Sequence, residues 1–259
     1  FLVVGNMSED QAKTLAQDVR TQLGAKGTEW CRNQDVLVDK QQNVIFEKPG
    51  SSTDSALAAV FVPTGYDEYA SSAYSAVLGQ IVQPWFYSQL RTEEQLGYAV
   101  FAFSMNVGRQ WGMGFLLQSS DKQPDYLWQR FQAFFPQAEA KLRAMKPEEF
   151  AQIQQAVIAQ ITQPPQTLAE EASKISKDFD RGNMRFDSHD KVVAEIKQLT
   201  PQNVADFFHQ AVVAPQGMAI LSQVSGSQSK KADVTPPAGW TVWKSVSALQ
   251  QSLPRSKNE

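Results

Sequence analysis

A chain of 259 residues with 42% hydrophobic side chains is long enough to bury a sizeable core, which excludes a disordered segment. Lysine and arginine number 24 against 27 acidic residues, a formal net charge of -3 with no long basic run, so the electrostatic footprint of nucleic-acid binding is missing. No stretch approaches the roughly 20 apolar residues of a membrane span, the start carries no signal-peptide pattern, and a lone cysteine, Cys31, allows neither an internal disulfide nor a zinc site of paired thiolates.

In chain order, Phe1-Leu2-Val3-Val4 is an apolar run that leads into Gly5-Asn6 and reads as a strand and turn entered mid-fold. Ser8 and Gln11 have capping-box spacing before a helix to about residue 23, with Gly24 as its C-terminal stop. Residues 27–50 are mixed and polar, a linker with one β-like stretch at 43–47. The apolar run at 55–62 predicts a strand covered on both faces. A helix follows over 67–83, which Pro84 interrupts or restarts, placing a kink just before Arg91.

Residues 98–107 alternate, and the larger odd-numbered side chains, Phe101, Phe103 and Met105, predict that the odd face is the core. With Gly108-Arg109-Gln110 as the turn, 111–117 completes an antiparallel hairpin. Helices are predicted over 124–145, 147–163, 168–180, 191–199 and 201–213, several with proline in the first turn, then a last strand at 218–224. The helix and strand of 200–224 end much as residues 1–4 would close a similar preceding unit, a weak internal repeat. From about 225 a Ser/Gln/Lys-rich flexible tail begins, with two tryptophans at its far end that dock. This order predicts an α+β fold, an antiparallel sheet with helices packed on one face. It divides into 1–26 as the end of a preceding domain, 27–50 as linker and first strand region, and 51–259 as a complete domain.

The supply of catalytic groups is thin. His189 and His209 are the only histidines, and neither lies in a zinc-binding His-x-x-Glu-His or His-Glu-x-x-His motif. His189 reads as a helix-start residue beside Asp190, and His209 as a structural residue after Phe207-Phe208. No Gly-x-Ser-x-Gly elbow, Gly-x-Gly-x-x-Gly or P-loop occurs. Glu93-Glu94, Glu148-Glu149 and Glu170-Glu171 read as solvated or first-turn charges, since neighbours on a helix do not converge.

One segment stands out: Leu90-Arg91-Thr92-Glu93-Glu94-Gln95-Leu96-Gly97-Tyr98, joining the kinked helix to the hairpin. With Gly79-Gln80-Ile81-Val82-Gln83-Pro84 before it and the aromatic strand after it, it resembles the C-terminal-half signature of the pitrilysin and insulin-degrading zinc peptidases. The resemblance runs from about Phe1 to Val213. It implies a four-domain clamshell, with this chain holding the end of the third domain and the whole fourth. The zinc, bound by His-x-x-Glu-His and a distant Glu, would belong to the N-terminal half, so this chain holds no metal ligands and is expected to be inactive alone.

The partners implied are that N-terminal half and peptide substrates, with no nucleic acid and no membrane, and the compartment implied is the bacterial periplasm. By the resemblance, Arg91 binds substrate carbonyls near the scissile bond, and the Tyr98 hydroxyl hydrogen-bonds the attacked carbonyl as it becomes an oxyanion. The residues make these roles physically sensible. Tyr98 lies on the even face, away from the expected core, and Gly97 lacks a side chain that would block an extended peptide. Two alternatives are a catalytically inactive scaffold subunit of the processing-peptidase type and a free-standing peptide-binding module that uses a sheet edge.

Overall fold

The computed structural model describes residues 1–24, 26, 35–49, 52–227 and 239–255. Cys31 and parts of the expected linker and tail lie outside the described residues. At the start, Ser8 caps α1 (Glu9–Gln22) through the capping box with Gln11, and Gly24 takes the left-handed conformation at its end. None of the residues of α1 is buried. Residues 1–4 are not a strand, because they have no ladder partner among the described residues.

The sheet is built from β1 (Gln42–Pro49), β2 (Ser55–Val62), β3 (Ala99–Val107), β4 (Gln110–Ser119), β5 (Met218–Ser225) and the short β6 (Thr241–Val242). Its order is β3-β4-β2-β5-β1-β6. β2 pairs antiparallel with β4 and β5, and β3 with β4, but β1 runs parallel to both β5 and β6. The sheet is therefore mixed, not purely antiparallel. The long chain between β1 and β5 supplies the crossover that a parallel pair requires.

Seven further helices lie among the described residues: α2 (Glu68–Tyr87), α3 (Pro124–Arg143), α4 (Pro147–Thr162), α5 (Leu168–Asp180), α6 (Ser188–Gln198), α7 (Pro201–Phe208) and α8 (Val246–Ser252). Leu57, Ala59 and Phe61 of β2 face the main core with Phe86, Phe131, Phe134, Phe207 and Phe208 from α2, α3 and α7. Within it Phe86 is packed among the rings of Phe115, Phe131 and Phe134 at 5.2, 5.1 and 5.2 Å. The opposite face is partly covered too. Leu249 and Leu253, on and just after α8, pack with Val38, Val44, Val62 and Met218. Helices thus occupy both faces, unequally. Trp240 docks at the edge of the main core, its ring 5.8 Å from that of Trp128.

Two sequence expectations are corrected around α2. The helix runs through Pro84, because Pro84 and Gln80 are both exposed and the carbonyl left without an N–H partner opens to solvent. The faces of β3 are also the reverse of those expected: Val100 and Ala102 are buried, whereas Phe101, Phe103 and Met105 are exposed. The cause lies in α2, which presents small residues every four positions. The Ser71 hydroxyl accepts the Trp111 N–H at 3.2 Å, Ser75 and Ser104 share a hydrogen bond of 2.6 Å, and Gly79 lies against Ser104. A helix seated this closely fits over small residues and leaves the large ones on the open face.

Candidate functional site

Beyond Tyr87 the helix widens into a π turn, Ser88–Glu93, and Arg91 is on it. The Glu94 N–H reaches back to the Gln89 carbonyl and the Leu96 N–H to the Leu90 carbonyl, each at 2.9 Å. Leu90 and Leu96 are buried, so the turn is plugged into the core at two points while Thr92, Glu93 and Gln95 between them are exposed. Gln95 has φ +54°, a left-handed conformation costly for a residue with a Cβ. That reversal directs the chain into β3 by way of Gly97 and Tyr98.

Arg91 and Tyr98 are brought together. The guanidinium carbon lies over the Tyr98 ring, 5.5 Å from its centroid, and Tyr98 is 75% exposed. Tyr98 precedes the first residue of β3, so it escapes the alternation that buries Val100 and Ala102. Gly97 has a different part from the one expected of it. It is buried, and a Cβ built on it would stand 1.7 Å from the Gln118 carbonyl oxygen. The space it spares is filled by β4, not left open to a peptide.

Glu94 was expected to be a solvated charge and is instead the best-anchored group of the segment. Arg130 of α3 donates from Nε to Glu94 Oε2 at 2.7 Å and from Nη2 to Oε1 at 2.8 Å, and Gln89 Nε2 donates to Oε1 at 3.2 Å. The hydrogen bonds from Arg130 hold the Glu94 carboxyl below the ordinary value of 4.5, against a smaller opposing effect of burial. Its partner is 36 residues away in the sequence, a separation at which no local pattern links the two.

Tyr87, the last residue of α2, lines a groove of about 770 Å³ with Gln83, Pro84, Phe103, Val157 and Ile161. Beside it, sharing Ala76, Ser104 and Ile161, is a more polar pocket of about 390 Å³ that includes Arg181, Asp178 and His189. Burial, followed by the charge of Lys174, lowers the pKa of His189.

Nothing in the described residues fits a zinc ion, since no three His, Cys, Asp or Glu side chains converge. His209 Nδ1 is 3.0 Å from Glu139 Oε2, in a network with Arg143 and Asp206. No helix of the described residues is long and apolar enough to cross a membrane.

This geometry can be set beside known proteins. Along its entire length the chain is 77% identical to Protease 3 of Escherichia coli strain K12, and it spans 27% of that protein. The chain belongs to the pitrilysin family. The crystal structure of pitrilysin superimposes on 98% of the chain with a TM-score of 0.95, 77% identity and coverage of 27% of that structure. Residues 77–176, which include the π turn and the hairpin, match the family described as "PQQ synthase PqqF-like, C-terminal lobe domain 4". A more distant relative is "Insulin-degrading enzyme-like 1, peroxisomal" of Arabidopsis thaliana, 24% identical over 88% of the chain and 25% of its own length. The chain thus covers about a quarter of these pitrilysin-family relatives.

Proposed function

We propose that this chain is the non-metal-binding portion of a zinc metalloendopeptidase that cleaves small proteins and peptides, and that Arg91 and Tyr98 are its contribution to the active site. The observation that carries the proposal is the pairing itself: a guanidinium stacked on an exposed phenol, with no carboxylate partner for Arg91 among the described residues. The zinc would be held by residues outside this chain.

Within this reading the guanidinium binds substrate backbone carbonyls near the scissile bond and aligns the peptide. The Tyr98 hydroxyl donates a hydrogen bond to the scissile carbonyl oxygen as it gains negative charge. A donor aimed at developing charge in a water-poor site accelerates reaction because it is already oriented. Gly97 serves indirectly, by letting the segment lie against β4 so that Tyr98 starts at a fixed height.

The proposal extends to organisation and place. Residues 1–26 would close a preceding domain and 51–259 would form the last one, with 27–50 between them. The unburied α1 supports this, since its exposed Leu15 and the adjoining exposed Leu23 suit a neighbouring surface. The partners would be the N-terminal half and peptide substrates, and the compartment the bacterial periplasm.

The test is a chimera in which this chain replaces the matched segment of E. coli Protease 3. Tyr98→Phe is expected to lower kcat by ~10²- to 10³-fold, the usual loss for an oxyanion donor, with zinc content unchanged. Arg91→Ala is expected to lower kcat/KM as well. Normal kcat/KM in both variants would remove the site and favour the scaffold alternative, for which neither side chain has a task.

A further inference from the structure

The arrangement around the π turn raises a question of pairing. Glu94 is three residues beyond Arg91, the spacing at which an acid and a base on a helical turn ordinarily meet. They are not partners here. Arg130 occupies both carboxylate oxygens of Glu94 in the two-pronged geometry that only a guanidinium supplies. It does so from a rigid base, because its neighbours on α3, Leu127, Phe131 and Phe134, are all buried in the main core. Gln89 completes the carboxylate's coordination from the first turn of the π segment.

From this we infer that Glu94 and Arg130 are positioning residues with two separable effects, an inference that rests on the function proposed above. Through Glu94 the pair ties the π turn to α3, fixing the direction in which Arg91 and Tyr98 are presented. Through Arg130 it saturates Glu94 and keeps that carboxylate from capturing Arg91, so that the Arg91 guanidinium stays available to peptide carbonyls.

The second effect makes the two partners unequal, and this separates the inference from a plain structural ion pair. In the chimera, Glu94→Gln loosens the turn but leaves no acid to engage Arg91, and kcat/KM is expected to fall about tenfold. Arg130→Met both loosens the turn and frees the Glu94 charge, and is expected to cost ~100-fold, within the range that small misplacements of reacting groups produce. Combining the two substitutions should then recover activity to the level of Glu94→Gln alone. Arg130→Lys keeps the charge but loses the fork, and should fall between wild type and Arg130→Met.

Thermal unfolding of every variant is recorded alongside. Losses that follow Tm, or a double variant no better than Arg130→Met, overturn the inference. If Arg130→Met does not fold, the comparison is made with Arg130→Lys alone and with Glu94→Gln, and recovery in that pair decides. Tyr98→Phe and Arg91→Ala are measured in the same assay. Full activity in both overturns the proposed function itself, whereas loss in both with indifference to Glu94 and Arg130 overturns only the clamp.

Discussion

Among the described residues two helices end in a π turn before a strand, and they are put to opposite uses. The first, at Ser88–Glu93, is outward-facing and carries Arg91 toward Tyr98. The second, at His209–Val213 after α7, has Ala211 and Val212 in the core. Both are tied through a carboxylate to the same helix, α3, which supplies the guanidinium in one case and the carboxylate in the other. Glu94 on the first turn takes Arg130 of α3, and His209 on the second takes Glu139 of α3. The same backbone device thus serves as a presenting arm where only Leu90 is buried and as a structural joint where Ala211 and Val212 enter the core.

Substitutions sharpen that contrast, beginning with the largest effect. Phe208→Ala, at the base of the second turn, empties a fully buried position and should lower the free energy of unfolding by about 3–5 kcal/mol in urea titrations. Arg91→Ala on the first turn should stay within about 0.5 kcal/mol of wild type in the same titration, its cost appearing in catalysis. Equal destabilisation by the two would break the comparison. Between these lies Gly97→Ala, whose methyl would meet the Gln118 carbonyl and push apart the joint between arm and hairpin. A loss of about 1–3 kcal/mol is expected, with reduced activity because Tyr98 moves too.

The smallest effect concerns acid. The folded pKa of Glu94 lies below the ordinary value, chiefly through its hydrogen bonds with Arg130, and that of Glu139 is also lowered: burial, the largest single effect, raises it, but the bonds and charges of His209 and Arg143 together outweigh that. A depressed carboxylate contributes stability that is present above its ordinary value of 4.5 and is lost as pH falls through the lowered one. Glu94→Gln and Glu139→Gln should each flatten part of the acid limb of a stability profile. An acid limb unchanged in Glu94→Gln would show that its ties hold nothing in place.

What could be read in advance divides along the range of the forces involved. Helix starts at Ser8 and Thr200 were legible because a cap bonds within three residues of itself. The hairpin was legible from alternation, but its faces were not, since alternation fixes only that two faces differ. Which one received helix cover follows the small residues Ser75 and Gly79 of α2, which seat against Ser104 on the same even-numbered face as the buried Val100 and Ala102. The parallel pairing of β1 with β5 and the union of Glu94 with Arg130 both depend on residues far apart in the chain, and no local pattern announces either. Arg91 and Tyr98 could be singled out by family resemblance. Their proximity could not be known before the intervening turn was seen to widen.

A π turn holds one residue more than an α turn over the same rise, so every side chain beyond it has been rotated by a fixed amount relative to an uninterrupted helix. The bearing of Arg91 is thus set by counting as well as by contact. Losing or gaining a single codon between Tyr87 and Arg91 would swing the guanidinium around the axis to another compass point, even with every other amino acid unaltered. Evolution can vary the chemistry of this arm by ordinary replacement, but it is far less free to alter its length.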